Sequence, residues 1–154
     1  MRTIIVVLTT SMLVACATTY EQPTTVVLKI TSAVSASKSD ILRTAKQILV
    51  SEGFQITNSD ESAGVISSAP RNLRVSPVQA NCGTTMGLDY LKDNRTSTRV
   101  AFGIIAEDGK VTVKANIEGE YKPGAVDQDI TLTCVSRGVL ERDLLTKITG
   151  SISR

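Results

Sequence analysis

Few side chains in this sequence could do chemistry, because its 154 residues contain no histidine. Without an imidazole, the chain lacks the base of Ser/His/Asp and Cys/His nucleophiles and every histidine metal ligand. Two carboxylate pairs remain, Asp60 with Glu61 and Asp89 with Asp93, and two carboxylates can hydrolyse a glycosidic bond. Adjacent residues of a strand point apart, however, and carboxylates four residues apart on a surface helix are usually solvated. The sequence therefore predicts a protein that is not an enzyme and needs no cofactor or metal.

The first of the three cysteines, Cys16, ends the one long apolar segment of the sequence. Arg2 precedes an apolar stretch from Ile4 to Val14, which is the layout of a secretory signal peptide. Polar residues from Thr18 onward leave this stretch short of the roughly 20 apolar residues that a membrane-spanning helix needs. We therefore expect an export signal and no membrane-spanning helix here.

The four residues LVAC, which end at Cys16, resemble the lipobox of bacterial lipoproteins, in which Gly, Ala or Ser precedes the lipidated cysteine. The resemblance implies cleavage before Cys16, diacylglycerol on its sulfur and a further acyl chain on the new amino terminus. It divides the chain into a signal peptide (1–15), a lipidated tether (16–25) and a single periplasmic domain (26–154). Ala17 stands where inner-membrane lipoproteins carry Asp, so in a host with two membranes the resemblance favours the periplasmic face of the outer membrane. The alternative is that Cys16 is an ordinary residue of a hydrophobic segment.

The other two cysteines, Cys82 and Cys134, form an even pair once Cys16 carries the lipid. In an oxidising compartment such a pair favours a disulfide. Closing a loop of roughly 50 residues would stabilise the fold by about 4 kcal/mol in the loop-entropy model. Two separate thiols, buried or reactive, are the alternative, because the sequence does not give the distance between the Cα atoms.

Charge is nearly balanced, with 17 basic and 15 acidic residues spread along the chain. There is no basic stripe, so we expect no nucleic-acid partner. Three arginines of the central region, Arg71, Arg74 and Arg95, are candidates for a surface that contacts a partner protein or lipid headgroups. A solvated loop surface is the other interpretation of these residues.

Apolar periodicity predicts the elements that must position these residues. Alternation predicts strands at 26–31, 54–57, 65–66, 100–104, 111–117 and 130–134, with a tight turn at Asp108-Gly109. Helical spacing predicts one helix from a Ser37 cap to a stop at Gly53, and a final helix capped by Ser136. Residues 69–96, which we call the excursion, show no sustained period and contain one expected short helix near 88–92.

This order of elements, β-α-β-β-β-β-β-α, predicts an α+β fold: an antiparallel sheet of about five to six strands with two helices packed on one face. The segments SEGFQI and TNSDESAGVISS resemble the repeated unit of periplasmic lipoproteins with a helix-grip or TATA-binding-protein-like domain. Those proteins include a lipoprotein of the outer-membrane barrel assembly machinery, which has two such domains where this chain has one. The resemblance implies the same fold and carries over no functional residues.

The function that we expect follows from the anchor and from the shortage of reactive groups. The sequence predicts a membrane-anchored envelope lipoprotein that acts as a non-catalytic interaction or accessory protein, held to the membrane through Cys16 and bound to another envelope protein. The excursion would supply the partner surface, pinned at Cys82. The alternative is a binding module for an apolar or lipid ligand held between the sheet and a helix.

Overall fold

The computed structural model describes residues 20–24, 28–124 and 128–153. The predicted signal peptide, Cys16 and half of the predicted tether lie outside these ranges, and so do the first two residues of the first predicted strand. Within the described ranges, no helix combines the length and the apolar character needed to cross a membrane.

The described residues form twelve strands, two α-helices and one 3-10 helix. In chain order these are β1 (Tyr20–Glu21), β2 (Ile30–Ala33), α1 (Lys38–Ser51), β3 (Ile56–Asp60), β4 (Val65–Ser68), β5 (Arg71–Asn72), β6 (Ala80–Asn81), β7 (Thr84–Thr85), β8 (Leu88–Asp89), the 3-10 helix (Tyr90–Lys92), β9 (Thr96–Glu107), β10 (Lys110–Tyr121), β11 (Ile130–Thr133), β12 (Val135–Ser136) and α2 (Val139–Ile152). The α+β class predicted from the sequence is confirmed.

Seven of these strands form the main sheet, and all of its pairings are antiparallel. The order is β11-β10-β9-β4-β3, while β2 pairs with β10 beside β11 and β5 pairs with β9 beside β4. The sheet has more strands than the predicted five to six because β5, a two-residue strand of the excursion, joins it. Two smaller sheets, β1-β7-β8 and β12-β6, complete the strand pairing.

The hairpin of β9 and β10 is the centre of the sheet and was predicted from its alternation. The two strands pair over twelve residues each, and Asp108-Gly109 forms the turn, with Gly109 at φ 75°. Along both strands, buried residues alternate with more exposed ones. One face of the sheet, which we call the covered face, therefore packs against the core, and the opposite face is the solvent face.

Helix α1 begins and ends where the sequence predicted. The Ser37 hydroxyl accepts a hydrogen bond from the backbone N–H of Asp40, which satisfies one of the free donors at the helix N-terminus. Beyond the last turn, Gly53 adopts φ 79°, a left-handed conformation that glycine takes readily. The apolar stripe of α1 is buried on the covered face of the sheet: Ile41, Leu42, Ala45 and Leu49.

The predicted Ser136 cap of the final helix is wrong. Helix α2 begins after Gly138, which has φ 81° and supplies no side-chain cap. Ser136 belongs to β12 instead, and its hydroxyl accepts from the backbone N–H of Gly138 and donates to Glu141. A glycine in the left-handed region turns the chain between strand and helix, and this turn moves the helix start two residues downstream of the serine.

Strand pairing and buried side chains give the excursion a defined structure. Its lack of apolar periodicity had predicted an irregular segment. It contains four two-residue strands, and its helix is a single 3-10 turn that starts at Tyr90, because Leu88 and Asp89 pair as β8. Five of its side chains are buried in the same core as the helices: Val75, Ala80, Cys82, Tyr90 and Leu91. The excursion therefore covers part of the core, as a third helix would.

Candidate functional site

The four carboxylates that could have formed an acid/base pair each make local contacts. Asp60 accepts from the backbone N–H of Ala63 at 2.9 Å, and this bond is the main reason that the pKa of Asp60 is lowered. Asp89 accepts from the N–H of Leu91 and caps the 3-10 helix. Glu61 pairs with Lys46 at 2.9 Å.

The fourth carboxylate, Asp93, forms an ion pair with Arg95 at 2.7 Å. The side-chain hydrogen bonds from Arg95 are the largest cause that lowers the pKa of Asp93 to about 2. Both partners are partly exposed to solvent, so the pair is suited to shaping the loop before β9. The described residues contain no cluster of three or more metal-ligating side chains.

Glu141 is a buried carboxylate of α2 that was not predicted from the sequence, because only the apolar residues of this helix indicate its buried face. On one side of β10, β2 pairs with residues 110–113 and β11 with residues 118–121. Glu141 reaches into the gap between them, where it accepts from the backbone N–H of Ala115 at 3.2 Å and from the Ser136 hydroxyl at 2.7 Å. The carboxylate is fully buried and replaces a missing strand partner at this point of the sheet.

We expect Glu141→Ala to lower the free energy of unfolding by about 1–3 kcal/mol, because the Ala115 N–H would be left buried without an acceptor. Glu141→Gln keeps an acceptor oxygen of the same reach and should lose much less. Urea unfolding of both variants measures the difference. Equal stabilities for the two variants would show that the hydrogen bond to Ala115 contributes little.

The disulfide fastens the excursion to the end of β11. Cys82 and Cys134 are bonded across 52 residues of sequence, as predicted for the two cysteines other than Cys16. The disulfide lies directly on Gly119 of β10, where an added Cβ would come within 2.9 Å of the Cys134 sulfur. The glycine at this position of the strand is therefore explained by the close approach of the disulfide.

The same junction receives the first described residue of the chain, Tyr20. Its hydroxyl accepts from the backbone N–H of Thr133 at 2.8 Å and lies 3.2 Å from the carbonyl oxygen of Cys82. Its ring packs on Gly83, where a Cβ would approach the ring within 2.6 Å. Sequence reasoning had placed Tyr20 in a polar tether, and the only available signal was that it is the one aromatic residue there.

All three tyrosines of the chain meet at this end of the covered face. Tyr90 lies edge-to-face between Tyr20 and Tyr121, with ring centroids 5.6 and 4.9 Å apart. The Arg95 guanidinium lies over the Tyr121 ring at 4.9 Å, and burial raises the pKa of the Tyr121 hydroxyl. Aromatic pairs of this geometry contribute about 0.5–1.5 kcal/mol each beyond the area that they bury. The tyrosine cluster thus links the start of the chain to the excursion and the central hairpin.

The structure separates the three candidate arginines. Arg71 lies in β5 opposite Val100, with its guanidinium 5.4 Å from the centre of the Phe54 ring. Arg95 precedes β9 and is five residues from Val100, which is roughly 17 Å along an extended strand. All three arginines are exposed, and two of them, Arg71 and Arg95, also lie over aromatic rings of the chain.

The solvent face of the sheet carries an open polar groove of about 680 Å³. Arg99 of β9 and Glu118 of β10 are paired across it at 2.9 Å, and more than half of each side chain is exposed. The remaining lining residues come from the same two strands and their neighbours: Asn72, Ser97, Gly119, Glu120 and Thr131. Arg74 follows Asn72 by two residues along this edge of the sheet.

An open pocket of about 650 Å³ lies between the end of α2 and β2, with Val34 and Ile152 among its lining residues, but the cleft that reaches the aromatic core is small. The cleft beside α2 has a volume of about 130 Å³, with Phe54, Phe102 and Leu144 among its lining residues. Pockets that hold drug-sized ligands typically measure about 300–1,000 Å³. This cleft is too small for a lipid chain in the conformation described.

Comparison of the sequence with models of known protein families and with curated proteins gives no match. Among solved structures, the fold is similar to a DUF4468 family protein from Bacteroides ovatus ATCC 8483, with a TM-score of 0.46 and 16% identity over 68% of this chain and 59% of that one. It is also similar to a TBP-like protein from Parabacteroides distasonis ATCC 8503, with a TM-score of 0.44 and 15% identity over 68% of this chain and 62% of that one. The chain thus matches about three fifths of the length of these two proteins. The fold class assigned above rests on the strand pairing of this chain itself.

Proposed function

We propose that this chain is a lipid-anchored, non-catalytic interaction protein of the bacterial envelope, held at the periplasmic face of the outer membrane. The observation that supports this proposal most is the attachment of Tyr20 to the disulfide junction. Tyr20 is only four residues from Cys16, the proposed lipidation site. The anchor would therefore be coupled to a rigid part of the domain, without a long flexible linker between them.

The proposed anchor explains how such a domain would stay at a membrane. One acyl chain gives marginal and reversible membrane binding at about 0.8 kcal/mol per buried methylene, whereas two or more chains hold a protein stably. The lipobox resemblance implies a diacylglycerol and a further acyl chain on Cys16. A domain held in this way can keep a surface in reach of other envelope proteins.

For the partner surface we propose the groove on the solvent face of the sheet. It joins charges of both signs, Arg99 with Glu118 and Glu120, to the hydroxyl groups of Ser97 and Thr131. Surfaces of this kind recognise polar, charged partners by complementary charge. None of the three arginines predicted from the sequence lines this groove, although Arg74 lies two residues beyond Asn72, which does. The rival proposal, an apolar ligand between sheet and helix, has less support, because the cleft at the aromatic core is small and the larger pocket between α2 and β2 is open and lined by serine, threonine and glycine as well as apolar residues.

Charge reversal in the groove tests this proposal. Arg99→Glu should reduce recovery of the envelope partner in cross-linking and pull-down by about tenfold, which corresponds to about 1.4 kcal/mol. Arg43→Glu is the matched control, since Arg43 also forms an exposed ion pair, with Asp40 at 2.6 Å on α1. Exposed ion pairs contribute about 0–1 kcal/mol, so both variants should fold. Equal recovery with the two variants would contradict the assignment of the groove.

A further inference from the structure

The hairpin formed by β7 and β8 exposes apolar side chains at its tip. Met86 and Gly87 form the turn, and the side chains of Met86 and Leu88 are 83% and 72% exposed. Both turn residues have positive φ, 49° for Met86 and 76° for Gly87. Asn, Asp or Gly is the usual choice at the first of these positions, so the backbone gives no reason for a methionine there.

The sequence that leads up to this tip contains no charged residue. The residues from Val75 to Leu88 include no Asp, Glu, Lys or Arg, although 21% of the chain is charged. Beyond the first twenty residues, this is the longest uncharged stretch of the sequence. The nearest charged residues of β1 and β8, Glu21 and Asp89, both lie opposite Thr84 at the base of the hairpin. An uncharged tip with two exposed apolar side chains favours an apolar or interfacial environment.

The first described strand, β1, pairs with β7 and so lies beside the same hairpin. In the antiparallel pair of β1 and β7, Glu21 lies opposite Thr84 and Tyr20 lies opposite Thr85, the residue just before the turn. Followed toward the N-terminus, from Glu21 to Tyr20, the backbone of β1 therefore runs toward the tip. Cys16 is four residues before Tyr20, and four extended residues span at most about 14 Å.

We propose that the tip of the β7–β8 hairpin, with Met86 and Leu88, inserts into the interfacial layer of the membrane that holds the lipid on Cys16. This inference rests on the proposed lipid anchor, because the anchor is what brings a bilayer within reach of the tip. A bilayer is the occupant that fits best, since the side chains of the tip are apolar and Cys16 is at most about 14 Å from Tyr20. Apolar side chains at membrane surfaces reach about 5–10 Å into the boundary between headgroups and acyl chains.

The absence of tryptophan from the sequence allows a direct test. Leu88→Trp would place one fluorophore at the tip in the full-length protein, reconstituted into vesicles of phosphatidylethanolamine and phosphatidylglycerol. Part of the lipid would carry bromine on the acyl chains near the headgroup, which quenches tryptophan on contact. The matched control is Ile105→Trp, because Ile105 is a partly exposed strand residue nine positions along β9 from Thr96, or roughly 30 Å from the tyrosine cluster.

We expect brominated lipid to remove about half of the fluorescence of Leu88→Trp, as for a side chain at the acyl boundary, and to leave Ile105→Trp unchanged. Equal and weak quenching of the two variants would overturn the inference. A blue-shifted Leu88→Trp emission without quenching would also overturn it, in favour of contact with protein. Flotation and the intact mass of the same samples report the anchor separately, so a protein that floats with an unquenched tip disproves the hairpin contact and leaves the proposed function standing.

Discussion

The double variant Cys82→Ser, Cys134→Ser is expected to lower the free energy of unfolding by about 4 kcal/mol, which is the loop-entropy value for a bond that spans 52 residues. A small domain is stable by only about 5–15 kcal/mol, so this loss is a large share of the total. The effect should be concentrated at one end of the fold, because the bond holds the excursion on Gly119 of the central hairpin. Urea unfolding in the presence and absence of a reductant measures it.

The reductant provides the internal control for this experiment. It should lower the unfolding midpoint of the wild-type protein to that of the double variant and leave the variant itself unchanged. Tyr20 contacts both segments that the disulfide connects, at Cys82 and at Thr133. The backbone around Tyr20 should therefore become accessible to protease in the variant. A wild-type protein whose midpoint does not respond to reductant would contradict the role assigned to the disulfide.

The parts of this fold that were predicted correctly depend on local signals. The apolar alternation at 100–104 and 111–117 predicted the central part of β9 and β10, which extend to twelve residues each, and α1 carries both a Ser37 cap and a terminal Gly53. Such signals need no knowledge of distant residues. The disulfide was also within reach, because it followed from the number of cysteines once Cys16 had been assigned to the lipid.

The parts that were missed depend on contacts between distant segments. A two-residue strand has no period, and β1 and β6 are strands only because Glu21 lies opposite Thr84 and Asn81 lies opposite Val135. The Ser136 cap failed for a local reason that the sequence leaves ambiguous, since either Ser136 or the left-handed Gly138 could precede the helix. Glu141 has its role only because a gap between β2 and β11 exposes the N–H of Ala115.

Only part of the candidate site was predictable, because the rest depends on contacts between segments that are distant in the sequence. The sequence identified the cysteines and the arginine-rich central region, but the three arginines lie on different parts of the fold. The groove around Arg99 and Glu118 forms only when β5, β9, β10 and β11 come together in one sheet. Tyr20, which connects the proposed anchor to the domain, gave no signal beyond its aromatic ring in a polar segment.

The second large effect that we expect is the complete loss of membrane attachment when the proposed lipidation site is removed. Cys16→Ser should abolish membrane attachment, because serine has no thiolate to accept the diacylglycerol, and attachment by acyl chains is the only membrane contact of this strength that we propose. Recovery in the membrane pellet after a carbonate wash measures the effect. Cys82→Ser is the matched control, since it removes a cysteine sulfur without touching the lipobox, and it should stay in the pellet.

The most direct test of the lipid anchor is the intact mass of the wild-type protein extracted from membranes of the cells that produce it. We expect the mass of residues 16–154 with one disulfide, increased by a diacylglyceryl group on Cys16 and an acyl chain on its amino group. The mass of an unacylated chain, cleaved or uncleaved, would contradict the lipid anchor and with it the proposed function.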